Sequence, residues 1–149
     1  MVIDKRNIQD FAAGGFRPHG EVELWAEGPV MRVIAQGPFN REAVLALGKA
    51  VNDLYQELGP ERPVCELVEY CGSLLASPEA LTTLGELLAL MTRLGTAQKA
   101  IAIVVADDVE ARDLMLPIVT KVYADQGRPV ASFNSVAEAQ TWLEKQLGA

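Results

Sequence analysis

A chain of 149 residues that is 50% hydrophobic and 22% charged has the make-up of one soluble domain; at this length folding buries roughly 70% of the surface the unfolded chain exposes. Its 13 Lys and Arg against 20 Asp and Glu leave a formal charge of −7, which argues against the basic stripe nucleic acid requires and against polybasic attachment to anionic lipid. No apolar run approaches the roughly 20 residues of a membrane helix, and the charged opening Met1–Phe11 does not read as an export signal, so a cytoplasmic protein without stable membrane insertion is expected.

Residues 1–20 read as an N-terminal arm: Val2, Ile3, Ile8 and Phe11 suggest a short helical patch, which Gly14, Gly15, Pro18 and Gly20 break. The arm is expected to pack on the domain or on a neighbouring copy, and its apolar residues are compatible with a homodimer. Residues 21–149 form a single domain. In Glu21–Glu27 the apolar Val22, Leu24 and Ala26 alternate with Glu21, Glu23 and Glu27, the mark of a strand with one wet face. Gly28-Pro29 turns the chain into a second strand, Val30–Ala35, and so short a turn forces antiparallel pairing.

The period then changes. Asn40 is a helix N-cap, with Phe39 placed to staple against Val44. Val44, Leu47, Val51, Leu54, Tyr55 and Leu58 recur at helical spacing until Gly59-Pro60. A third strand is predicted over Val64–Tyr70, carrying Cys65. Cys71, six residues on, would lie about 20 Å away along an extended strand, beyond disulfide reach; two thiols in a reducing compartment are expected. Ser77-Pro78-Glu79 opens a second helix that ends at Gly95. Ala100–Ala106 is apolar on both faces, as a covered central strand should be. Glu110–Tyr123 reads as a third helix, bent or started late at Pro117. Val130–Phe133 is a last short strand, and Ser135-Val136-Ala137-Glu138 is a capping box for the terminal helix. The expectation is an α/β domain in the order ββαβαβαβα, with a five-stranded mixed sheet and about four helices.

This order resembles the STAS fold of sulphate transporters and anti-sigma-factor antagonists, and more narrowly the SpoIIAA-like family. The resemblance is carried by the opening hairpin, the loop Gly37-Pro38-Phe39-Asn40, the apolar fourth strand ending in Ala106-Asp107-Asp108, and the closing stretch Arg128–Leu143 with its Ser135-capped helix and Trp142-Leu143. It implies a non-enzymatic regulatory module that docks another protein. Antagonists carry an Asp-Ser pair after the third strand, where the serine is phosphorylated. Here that stretch offers Ser73 and Ser77 without the Asp, so either is at most a candidate phosphoacceptor. The bland alternatives are a loop serine at 73 and a helix cap at 77.

Catalytic chemistry has no motif behind it. His19 is the one histidine, so no His-metal cluster or Asp-His pair assembles on the usual pattern. GxGxxG, P-loop and GxSxG signatures are absent; no metal and no cofactor are expected. Glu66 and Glu69 are candidates for the sheet's wetter edges rather than a matched pair; Asp107-Asp108 ends a parallel strand, where α/β folds place ligands, or simply caps the following helix. The leucine-rich second helix spreads its apolar positions wider than an ordinary core stripe. The bland reading of this stripe is core plus a dimer or helix contact; in the sharper readings Leu81, Leu84, Leu88 and Met91 form a partner-docking face or the wall of a slot for a small apolar, lipid-like ligand with peripheral membrane contact.

Overall fold

In the hairpin of β2 (Glu21–Glu27) and β3 (Val30–Gln36), Gly28 takes φ 57° at the first turn position. A positive φ there gives the turn the twist of its flanking strands, and Glu21 pairs with Gln36 while Glu27 pairs with Val30. The computed structural model describes residues 5–12 and 15–148. Val2, Ile3 and Gly14 lie outside them.

Helices and strands alternate after the hairpin: α1 (Arg41–Leu58), β4 (Cys65–Cys71), α2 (Pro78–Leu94), β5 (Ile101–Val105), α3 (Arg112–Asp125), β6 (Val130–Phe133) and finally α4 (Val136–Leu147). The expected α/β architecture with four helices and a mixed sheet is present. The strand count is corrected: the described residues form six strands, because Arg6–Asn7 (β1) pairs antiparallel with Glu23 and Leu24 on the outer edge of β2. Two residues are too few to show an alternating pattern.

The arm packs on its own domain. A 3-10 turn over Ile8–Phe11 follows β1, and Ile8 is fully buried in the main core. Arg6 pairs with Asp53 at 2.9 Å and with Glu57, both on α1. Asn40 ties the arm down at a second point. Its Oδ1 accepts from the Ala43 amide at 2.9 Å as the cap of α1 and from the His19 amide at 2.8 Å, while its Nδ2 donates to the Arg17 carbonyl at 2.9 Å.

Strand order runs β1 to β6 without reversal, and β3, β4, β5 and β6 are parallel neighbours. Right-handed crossovers in one direction place their helices on one face. Accordingly α1, α2 and α3 share a core with Val33, Val68, Ile101 and Ile103, while α4 alone packs on the other face against Leu67, Ala102 and Val104. The end of α3 also differs from expectation. The helix starts at Arg112, after Ala111 at φ 63°, and runs through Pro117 without interruption.

Candidate functional site

Ligands of open α/β sheets bind where the strand order reverses, and this sheet has no such reversal. Asp107 and Asp108, at the end of β5, are exposed accordingly; Asp107 comes no nearer to a cation than 4.0 Å from Arg112 Nε. They do not cap α3, whose cap position is Ala111. The concave site lies instead between the sheet and the three-helix layer. It is a cavity of about 70 Å³ whose walls are apolar: Val33, Val68, Leu47, Leu81, Leu84 and Val119 are representative. Phe39 closes one side and meets the Tyr70 ring edge-on at 6.0 Å.

Its polar part is Glu66, Tyr70 and Tyr123. Alternation along β4 turns Glu66, Val68 and Tyr70 to the same face, and that face is covered by helices. Glu66 is 7% exposed. This corrects the assignment of Glu66 to a wetter edge: its parity matched Val68, and β4 lies inside the sheet. Glu69, of the opposite parity, does reach the half-open face, where its Oε1 accepts from Arg32 Nη2 at 2.6 Å.

A chain of buried hydrogen bonds supports Glu66. Gln98 Nε2 donates to Glu66 Oε1 at 3.2 Å, and Arg128 Nε donates to Gln98 Oε1 at 3.1 Å. The remaining guanidinium nitrogens are directed elsewhere: Nη1 donates to Thr92 Oγ1 and to the Gln126 carbonyl, each at 2.8 Å, and Nη2 to the Leu88 carbonyl at 2.7 Å. Arg128 thus pins the C-terminal half of α2 to the start of β6. Its hydrogen bonds reach Glu66 only through the intervening amide, while its charge also favours the ionised carboxyl.

Burial pushes the Glu66 carboxyl up to about 7, against the opposing pull of the Gln98 hydrogen bond and the Arg128 charge. Burial and the nearby Glu66 charge likewise raise the Tyr70 phenol. Tyr123, which shares a hydrogen bond with Tyr70, is raised by burial first and then by Tyr70 and Glu66. Both phenols therefore stay protonated at any physiological pH. A buried acid in an apolar hollow, with its usual ionisation displaced, is the pattern expected of a binding or reacting group.

No family model matches the chain, and no curated protein matches it.

The residues singled out from sequence divide unevenly. Leu81 and Leu84 line the cavity, as a ligand slot requires. Leu88 and Met91 do not form an accessible face: they are 2% and 6% exposed and belong to the core. The wide apolar stripe of α2 arises because the helix packs on α1, α3 and the sheet together, and it leaves Leu90 and Leu94 as its exposed leucines. Ser73 is buried, with its hydroxyl donating to Glu110 Oε1 at 2.7 Å and accepting from the Leu75 amide at 3.2 Å. Both hydroxyl functions are occupied, so in this fold it is not an accessible phosphoacceptor. Ser77 is the N-cap of α2, accepting from the Ala80 amide at 3.1 Å. His19 is exposed.

A second hollow of about 320 Å³ runs between β3 and α4, lined by Val30, Arg32, Leu67 and Leu147 among others. It is wider than the first but less distinctive chemically. Arg32 is already paired with Glu27 at 3.3 Å and with Glu69.

Proposed function

We propose that this protein is a non-enzymatic binding module of STAS-like, SpoIIAA-like type, and that it carries or senses a small, mostly apolar ligand held between the sheet and α1–α3. The observation that supports this reading is the apolar cavity with Glu66 buried in its wall. A stability-driven core would fill that volume with methyl groups, because an empty cavity loses packing and a buried carboxyl carries a desolvation penalty.

The cavity of about 70 Å³ accepts a fragment of a few heavy atoms, well below the roughly 300–1,000 Å³ of drug-sized sites. A longer ligand requires widening, and the fold favours one place for it. The N-terminal half of α2 supplies Ala80, Leu81 and Leu84 to the wall, whereas its C-terminal half is held by Arg128 at the Leu88 carbonyl. Displacement of the first half away from α1 opens the slot without breaking the Arg128 contacts.

Protein docking remains the reading implied by the family resemblance. It would use the exposed Leu90 and Leu94 of α2, since Leu88 and Met91 are in the core. A ligand-dependent movement of α2 would connect the two readings in one regulatory device. Cys65 and Cys71 are both free thiols, which suits a cytoplasmic protein.

The test is a native mass spectrum of protein purified from its own host, followed by a denaturing spectrum of the same sample, for the natural sequence and for Ala80→Leu. Ala80 is 1% exposed and lines the cavity, so the larger side chain occupies it. The expected result is a non-covalent mass on the natural protein that is lost on denaturation and absent from the variant. Equal retention of that mass by folded Ala80→Leu would overturn the assignment.

A further inference from the structure

Among the described residues that line the cavity, Glu66 is the one bearing a formal charge; Tyr70 and Tyr123 are the other polar groups. No Lys, Arg or His reaches the wall from any of the elements around it. Arg128, whose charge favours the ionised Glu66, does not line the hollow and spends all three nitrogens on Gln98, Thr92, Gln126 and Leu88. Gln98 occupies Glu66 Oε1 alone. An anionic ligand entering this hollow would meet a carboxylate and no cation in the wall, whereas a cation would meet an acceptor and two phenol oxygens within an apolar sheath.

From this arrangement we propose that the cavity selects a short apolar amine, its ammonium group on Glu66 and the phenol oxygens of Tyr70 and Tyr123, its hydrocarbon between α1 and α2. The inference rests on the binding reading above and narrows it to one chemical class. An ammonium donates up to three hydrogen bonds and accepts none, which matches an ionised carboxyl and the oxygen lone pairs of two phenols. A buried charge needs a partner of opposite sign as well as hydrogen bonds, and the ammonium provides what Gln98 cannot. The aromatic faces of Phe39 and Tyr70 add a favourable surface for a cation passing them.

Proton balance sets the pH dependence. The groups acting on Glu66 are Gln98 and Arg128, while Tyr55, Tyr70 and Tyr123 feel its charge; of these only Glu66 changes charge between pH 6 and 8. An alkylamine, with a pKa near the roughly 10 of a lysine side chain, enters as the ammonium. The complex holds Glu66 ionised, so the proton of a neutral Glu66 is released to solvent on binding. Amine affinity therefore rises from pH 6 to pH 8, and affinity for a neutral alcohol of the same length does not.

The experiment is a calorimetric and methyl-NMR titration of the full chain with n-butylamine, n-butanol and butyrate at pH 6 and pH 8, repeated on Glu66→Gln. At pH 8 butylamine is expected to bind about tenfold more tightly than butanol, the margin of a charge-assisted over a neutral hydrogen bond, with butyrate weaker than both. In Glu66→Gln, which keeps the shape and loses the charge, that preference collapses to within about twofold. Butanol or butyrate binding as well as the amine, or a preference unchanged in Glu66→Gln, overturns the amine assignment and leaves the apolar cavity standing. Failure of all three ligands to shift the methyls of Leu81, Leu84 and Val119 overturns both.

Discussion

Gln98 donates to Glu66 at 3.2 Å, joining two buried side chains that lie 32 positions apart. Gln98 sits in the segment between α2 and β5, and it also receives the Arg128 hydrogen bond. One neutral amide therefore links the acid of the cavity to the cation that fixes α2. The ionisation of Glu66 and the anchoring of α2 are therefore expected to be coupled.

The first concerns pH. The Glu66 carboxyl is raised by burial to about 7 in the folded protein, against an ordinary value of 4.5. Folding thus favours the protonated form. Its contribution is fully present below about 4.5 and is lost as pH rises through about 7. The stability difference between Glu66→Gln and the natural protein should grow by roughly 3 kcal/mol in favour of the variant between pH 4.5 and pH 8. Urea midpoints across that range read it directly. A difference that stays constant with pH would mean Glu66 is ionised in the fold at all these values.

Arg128 is 4% exposed and its hydrogen bonds reach Gln98, Thr92, Gln126 and Leu88. Arg128→Ala leaves the Leu88 carbonyl and the Gln98 amide without these donors. A loss of about 3–5 kcal/mol is expected from breaking so buried a cationic network. Hydrogen exchange should locate the effect, with amides of the C-terminal half of α2 losing protection before those of α1. Uniform loss across both helices would show that Arg128 does not act as a local clamp.

Two leucines on α2 give opposite results. Leu88 is 2% exposed and Leu90 41%. Leu88→Ala should cost about 2–5 kcal/mol and Leu90→Ala about 0.5 kcal/mol or less. Thermal or denaturant unfolding separates them. If a protein partner uses this helix, Leu90→Asp weakens capture while the far-ultraviolet spectrum is unchanged.

Ser77 caps α2 through its hydroxyl oxygen. Ser77→Ala should lose about 1 kcal/mol, whereas Ser77→Asp retains most of the stability because Asp is also a good N-cap. Equal losses in the two variants would rule out the cap as the main role of this side chain.

The hairpin was legible from Val22, Leu24 and Ala26 alternating with three glutamates, and the helix starts from Asn40, Ser77 and Ser135, each of which accepts the amide hydrogen bond of a cap. Trp25 shares the parity of those glutamates yet is 5% exposed, with Lys5 at 4.6 Å and Arg32 at 5.5 Å from its ring. The two-residue β1 left no pattern to read. The cavity was only half visible. Leu81 and Leu84 belonged to an apolar stripe too wide to show which leucines face the sheet. The parity of Glu66 was evident, but the burial of that face depends on helices elsewhere in the chain, and its supports Gln98 and Arg128 come from two later connecting segments. Periodicity reports one element at a time, so a polar network assembled from three of them carries no local signature.

The most direct measurement is methyl NMR of the natural protein titrated with n-butanol, a neutral probe of the cavity irrespective of charge preference. Shifts concentrated at Leu81, Leu84 and Val119, and lost in Ala80→Leu, are the predicted result. Shifts at Leu90 and Leu94 instead, or none at the cavity methyls, would contradict a ligand site between the sheet and its helices.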